Sequence, residues 1–267
     1  MRFGLRRLGP AFGSLLLAVS AFSQPAYKAP RTADGKPNIN GIWQAINEAD
    51  WDLAGHAARP GISVEMGTWA AEPGSLGVVE GGTIPYLPAA LAKKKQNFEN
   101  RLKLDPEVKC YLPGIPRATY QPFPFQIIVG PQYILMAYEF AGAMRTIYMK
   151  DPGPAPTDSW MGQSVGHWEG DTLVVDTKGF NDQTWFDRAG DFHSDQLHVV
   201  ERFTPLSADA LNYEATIEDP QTFSRPWKIS MPLNRRLEKN MQLLEFKCVE
   251  FVEELMYGHL RKKPATK

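Results

Sequence analysis

The chain has 267 residues, 43 % of them apolar, with 29 basic against 30 acidic side chains. That balance argues against the strongly basic face that nucleic-acid binding requires, so no nucleic-acid partner is expected. The length suits one large β domain or two small ones, and seven tryptophans stand ready for a core.

The amino terminus reads as an export signal. Arg2, Arg6 and Arg7 give a positive start with no acid before Asp34, and an apolar run follows from Phe12 to Phe22. Small residues at Ala21 and Ser23 fit a signal peptidase, which predicts a signal peptide over 1–23 and cleavage before Gln24. The run is short for a bilayer span; an uncleaved anchor is the alternative. The Arg6-Arg7 pair hints at twin-arginine export. Removal of 1–23 would leave 26 basic and 30 acidic residues, with no membrane span in the mature chain. A periplasmic or secreted location follows as an expectation. In such an oxidising compartment Cys110 and Cys248 are expected to pair as a disulfide, with two buried free thiols as the alternative. The bridge would contribute roughly 4–5 kcal/mol in the chain-entropy model.

Residues 24–39 read as an extended lead-in, and 24–120 as an irregular extension of a single domain over 24–267. Gly41–Ile46 looks like a first strand, Asp50–Ala58 like a short helix, and Pro and Gly punctuate 47–88. Ala89–Leu104 is predicted as a surface helix with a sparse stripe of Leu91, Phe98 and Leu102. Strands are then expected at Phe125–Val129, Tyr133–Glu139, Ala143–Met149, Ser164–Trp168, Thr172–Thr177, Leu197–Thr204, Leu211–Glu218, Trp227–Leu233 and Met241–Lys247. Gly170 sits where the tight hairpin after Glu169 needs a positive φ. Val249–Arg261 closes the chain as an amphipathic helix. Short strands at such intervals, pairable as simple hairpins, predict a mainly β fold: an antiparallel, lipocalin-like β-barrel with a few peripheral helices and room for one small ligand.

The run Ser164-Val165-Gly166-His167-Trp168-Glu169-Gly170-Asp171-Thr172-Leu173-Val174-Val175-Asp176-Thr177 is followed by Gly179-Phe180-Asn181-Asp182, Trp185-Phe186-Asp187 and His193-Ser194-Asp195. With Glu201-Arg202-Phe203, Glu218-Asp219-Pro220, Arg225-Pro226-Trp227 and Asp34-Gly35-Lys36-Pro37, this text resembles a family of exported, largely uncharacterised bacterial proteins. The resemblance covers nearly the whole mature chain. It implies export and one domain, and assigns no catalytic residue.

Chemistry concentrates in Trp185–Asp195, a loop holding three carboxylates, an arginine, a histidine and aromatic rings. His193 flanked by Asp187 and Asp195 could be a general acid–base oriented by a carboxylate; equally, turn residues could cap the loop while His193 bonds its backbone. His193 and His198 match no metal-ligand spacing, so neither metal nor cofactor is expected. Glu201 and Arg202 lie on opposite faces of one strand, so a charge enters the barrel and must be paired, with Arg145 or Glu214 as partner, or else meet a ligand. Arg145, Tyr148, Trp160, Trp185, Glu201 and Arg202 are the candidate substrate contacts. Walker A, G-x-G-x-x-G and C-x-x-C-H motifs are absent.

These features predict a barrel that holds a small apolar or aromatic molecule. As an enzyme it would be a cofactor-independent lyase, isomerase or decarboxylase using His193, Asp187 and Asp195. Otherwise it would be a non-catalytic ligand-binding protein, or an envelope-associated interaction module using the helix at 249–261.

Overall fold

A computed structural model describes residues 27–60 and 71–246. The signal segment 1–23, Lys247, Cys248 and the expected helix at 249–261 lie outside them. The fold is mainly β, and nine strands close into one barrel in chain order. They are β1 (Gly41–Ala45), β2 (Phe125–Val129), β3 (Tyr133–Tyr138), β4 (Met144–Tyr148), β5 (Gln163–Glu169), β6 (Thr172–Lys178), β7 (His198–Pro205), β8 (Ala210–Glu218) and β9 (Trp227–Arg235). β9 pairs antiparallel with β1 and so removes both sheet edges.

Period-2 alternation sets the register. Trp43, Phe125, Met136, Ile147, Val199, Phe203 and Tyr213 point inward and are all fully buried. At about 1.5–3 kcal/mol per large buried side chain, a one-residue slip of any strand would be prohibitive. Gly166 marks a close approach: a Cβ there would stand 2.7 Å from Ile147 Cγ2. Gly170 turns the β5–β6 hairpin at φ 60°, as its position predicts.

Simple hairpins do not account for every pairing. β4 and β5 run parallel, with Ile147 opposite Ser164 and Tyr148 opposite Val165. The connection carries Pro152, Pro154 and Pro156, which have no N–H for a ladder, so the chain travels back along the barrel before β5 begins.

Three further expectations are corrected. Asp50–Ala58 is not a helix. Asp52 Oδ1 accepts from Ala54 N at 2.9 Å, an Asx turn that competes with helical bonding, and the chain goes on to bridge His56 to Ser75 and Arg59 to Glu72. The helix after Pro88 breaks at Asn100 into α1 (Pro88–Glu99) and α2 (Arg101–Leu104). Its buried face carries Ala90 and Asn97, while Leu91 and Leu102 are exposed and Phe98 lies beneath the guanidinium of Arg101 at 4.2 Å. Residues 241–246 form no strand; Leu244 N donates to the Glu139 carboxylate, and Phe246 packs on Phe123 and Phe140. Cys110 is not free, and its expected partner lies outside the described residues. Among the described residues no helix is long and apolar enough to cross a membrane.

One end of the barrel positions the site. The long segment between β1 and β2, the β6–β7 loop (179–197) and the β8–β9 loop (219–226) gather there. α3 (Arg117–Tyr120) is buried at all four residues, and Leu53, Ile115, Ala118, Tyr120 and Phe186 join the barrel core. This end is therefore stoppered by its own chain.

Candidate functional site

The stopper is held by charge. Arg117, 1 % exposed, donates Nε to Asp50 at 2.9 Å, Nη1 to Asp105 at 2.8 Å and Nη2 to Glu107. Arg188 clasps Glu107 from the other side at 2.7 and 2.9 Å and lies 3.2 Å from Asp50. Five charges thus bind residue 50, the 105–107 turn, α3 and the β6–β7 loop into one block. Burial and the neighbouring Glu107 carboxylate push Asp50 up to about 6. Burial opposes the Glu107 charge too, but Arg117 and Arg188 hold its carboxyl below the ordinary range.

Stability should respond to pH accordingly. Folding raises Asp50 from 3.8 to about 6, so the folded state binds the extra proton between those values. Asp50 therefore adds stability as pH falls from 7 toward 5, by about 1.3 kcal/mol. Glu107 acts in the opposite sense at lower pH, and His193, lowered by burial, opposes the gain below pH 6.5. Urea unfolding at pH 7.5 and 5.0 isolates the Asp50 share as the difference between wild type and Asp50→Asn. The same pH dependence in both proteins would contradict the assignment.

Above this block the β6–β7 loop folds as a small hairpin, Trp185 bridging Phe192. Gly190 turns it at φ 85°, where an added Cβ would stand 2.7 Å from Phe98 N, so the loop seats directly on α1. Inside the hairpin Asp187 accepts from Leu53 N at 2.9 Å and Asp191 N at 3.1 Å. Asp191 accepts from Tyr86 Oη at 2.7 Å and faces Lys94 Nζ at 3.6 Å. Asp52 accepts from Arg59 at 2.7 Å. Among the described residues, Asp52, Asp187 and Asp191 form the group whose oxygens lie close enough, within 4.8 Å, to hold a cation. Burial and the Asp191 carboxylate hold Asp187 well above the ordinary carboxyl range. Arg59 Nε also lies 2.7 Å from the buried Glu72 carboxylate, so the two cations Arg59 and Lys94 stand among four acidic side chains, Asp52, Glu72, Asp187 and Asp191.

His193 is 2 % exposed. Its Nδ1 meets the Ser194 carbonyl at 2.8 Å, which requires N–H there; Nε2 then accepts from the Thr184 hydroxyl at 2.6 Å. Phe180 and Phe186 flank the ring, and burial lowers its pKa, favouring the neutral imidazole. Thr184 Oγ1 would stand 2.5 Å from a Cβ at Gly114, so backbone covers the hydroxyl that His193 would otherwise activate.

The expected histidine–carboxylate arrangement is therefore corrected. Asp187 spends its oxygens on backbone N–H groups, Asp195 is exposed and takes Gln196 Nε2 at 3.1 Å, and neither bonds His193. Arg145 and Glu201 are interior and bind each other, with Tyr213 Oη on Glu201 at 2.9 Å and Ser164 and Thr177 on Arg145. The structural ion pair weighed for this strand is present. Arg202 points outward to Glu169 at 2.8 Å, and Tyr148 lies on the outer face against Tyr133. Trp160 packs edge-on against Tyr111, 5.1 Å between centroids.

What the structure does bring together is a cleft of about 410 Å³ between α1 and the β6–β7 loop. Trp185, Phe192 and Tyr111 form its aromatic walls, with Leu104 and Pro106 beside them. Asn97 and His193 line its floor, and Gln183 and Ser194 its rim. Trp185 and His193 were legible in the sequence; Asn97, Lys93, Lys109 and Tyr111 were not, because they lie 68 or more positions from the loop they face. Comparison with family models, curated proteins and solved structures finds no match to this chain.

Proposed function

We propose that this protein binds a small, largely apolar or aromatic molecule in the cleft between α1 and the β6–β7 loop, without chemical conversion. The observation that carries the reading is His193: at the cleft floor, both ring nitrogens are already engaged by the Ser194 carbonyl and the Thr184 hydroxyl. A general base needs a free lone pair within reach of substrate, and this ring offers none. The cleft volume and its aromatic walls suit a ligand of one or two rings. We place the binding in the periplasm or outside the cell, on the strength of the leader-like 1–23 and the expected Cys110–Cys248 bridge. Kinship with lipocalin-like barrels, which the nine-strand closure suits, belongs to the same proposal.

One observation favours a second reading, cofactor-independent proton transfer of the lyase, isomerase or decarboxylase kind. The Asp187 carboxyl, behind the Trp185–Phe192 wall, is pushed well above the ordinary carboxyl range by burial and the Asp191 carboxylate.

Native mass spectrometry of chain exported to a bacterial periplasm tests the main reading. A co-purifying organic mass, lost in Trp185→Ala, is the expected result. A clean protein mass, with no change in tryptophan fluorescence across a panel of aromatic compounds, would overturn it.

A further inference from the structure

Resting on that reading of the cleft, we infer that its ligand is an aromatic anion whose negative group lies between Lys93 and Lys109. The two ammonium groups come from different elements, α1 and the 3₁₀ turn Pro106–Lys109, yet both line the same cleft. Among the described residues neither has a carboxylate within ion-pair distance, whereas their neighbour Lys94 is committed to Asp191 at 3.6 Å. Asp182 is the carboxylate of the lining, and it is occupied by the side chain of Gln183. The lining thus carries two positive charges against one negative, with the positive pair unneutralised. Behind the Trp185–Phe192 wall, Asp52 is engaged by Arg59, and Asp191 by Tyr86 and Lys94.

Two unpaired lysines in the lining of a cleft with aromatic walls form a site with separate parts. Trp185, Phe192 and Tyr111 take a flat apolar body, and the ammonium groups take an anionic end through charge-assisted hydrogen bonds. Buried Asn97, whose Nδ2 already serves the Gly190 carbonyl at 3.2 Å, fixes the position of α1 and hence of Lys93 relative to the loop. Lys109 is fixed in turn because its 3₁₀ turn is capped by Asp105, which Arg117 holds.

The test compares 2-naphthoate with its neutral isostere 2-naphthamide by tryptophan fluorescence titration of the full chain. Naphthoate is expected to bind about tenfold more tightly than the amide, with the preference shrinking as salt rises. In Lys93→Gln/Lys109→Gln the two affinities should come within about twofold of each other. Lys95→Gln/Lys103→Gln, which removes equal charge outside the cleft, should keep the preference; its loss there would mean general attraction and would overturn the inference. Equal binding of acid and amide by the wild type would also overturn it, while leaving the cleft as a binding site. Binding of neither compound would count against the cleft reading itself.

Discussion

Replacing Arg117 with Met is expected to lower the unfolding temperature by about 10–15 °C, a loss of about 3–5 kcal/mol. The side chain leaves three carboxylates behind it. Asp50, Asp105 and Glu107 are 2 %, 1 % and 6 % exposed, and without Arg117 only Arg188 remains to face them. Unpaired buried charge costs far more than a lost surface pair, so the carboxylates must take up protons or draw in water. Both routes loosen α3, which closes the barrel end. Arg117→Lys should recover little, because one ammonium cannot meet three acceptors arranged around a planar fork. Thermal unfolding followed by circular dichroism decides this, and a change under about 3 °C for Arg117→Met would contradict it.

Arg145→Met should be nearly as damaging, by about 3–5 kcal/mol, because it strands Glu201 in the barrel interior with the Tyr213 hydroxyl as its remaining hydrogen-bond donor. The informative comparison is the double variant. Glu201→Gln combined with Arg145→Met keeps an acceptor for Tyr213 and removes both charges, so it should recover at least half of the single loss. Equilibrium unfolding of the four proteins gives the coupling directly. Additive losses would mean that the two side chains do not depend on each other. This pair also shows why an arginine in a barrel strand is a poor guide to anion binding: the charge of Arg145 is already consumed.

Much of the barrel was readable from the chain because the alternation of apolar residues has period 2 and a buried interior enforces it. β2 through β9 fall within two residues of the strands read at 125–233, whereas which of Glu201 and Arg202 turns inward was left open until the fold placed Glu201 in the interior with Val199 and Phe203. The parallel pairing of β4 and β5 left no such mark, since neither strand's pattern encodes its direction. The stopper was invisible for another reason. Asp50, Arg117 and Arg188 are ordinary surface residue types, and their meaning arises only from partners 67 and 81 positions away. Helix reading over Asp50–Ala58 failed because Asp52 turns its side chain onto its own backbone.

The candidate site was half legible. The loop Trp185–Asp195 was singled out and does contribute Trp185, Phe192, His193 and Ser194 to the cleft, yet its chemistry was read from adjacency, which placed Asp187 and Asp195 on either side of His193. In the folded loop Trp185 and Phe192 bridge, Asp187 turns beneath them, and the partner of His193 is Thr184, nine positions back.

The ionisation of His193 tests the binding reading most directly. Its ring nitrogens can be followed by ¹⁵N NMR from pH 8 to pH 5. The ring should remain neutral and Nδ1-protonated through pH 6.5, titrating only below that, because burial disfavours the imidazolium and Nδ1–H is held by the Ser194 carbonyl. A ring that titrates at or above 6.5, or that carries its neutral-state proton on Nε2, would contradict the binding account and restore His193 as an acid–base group.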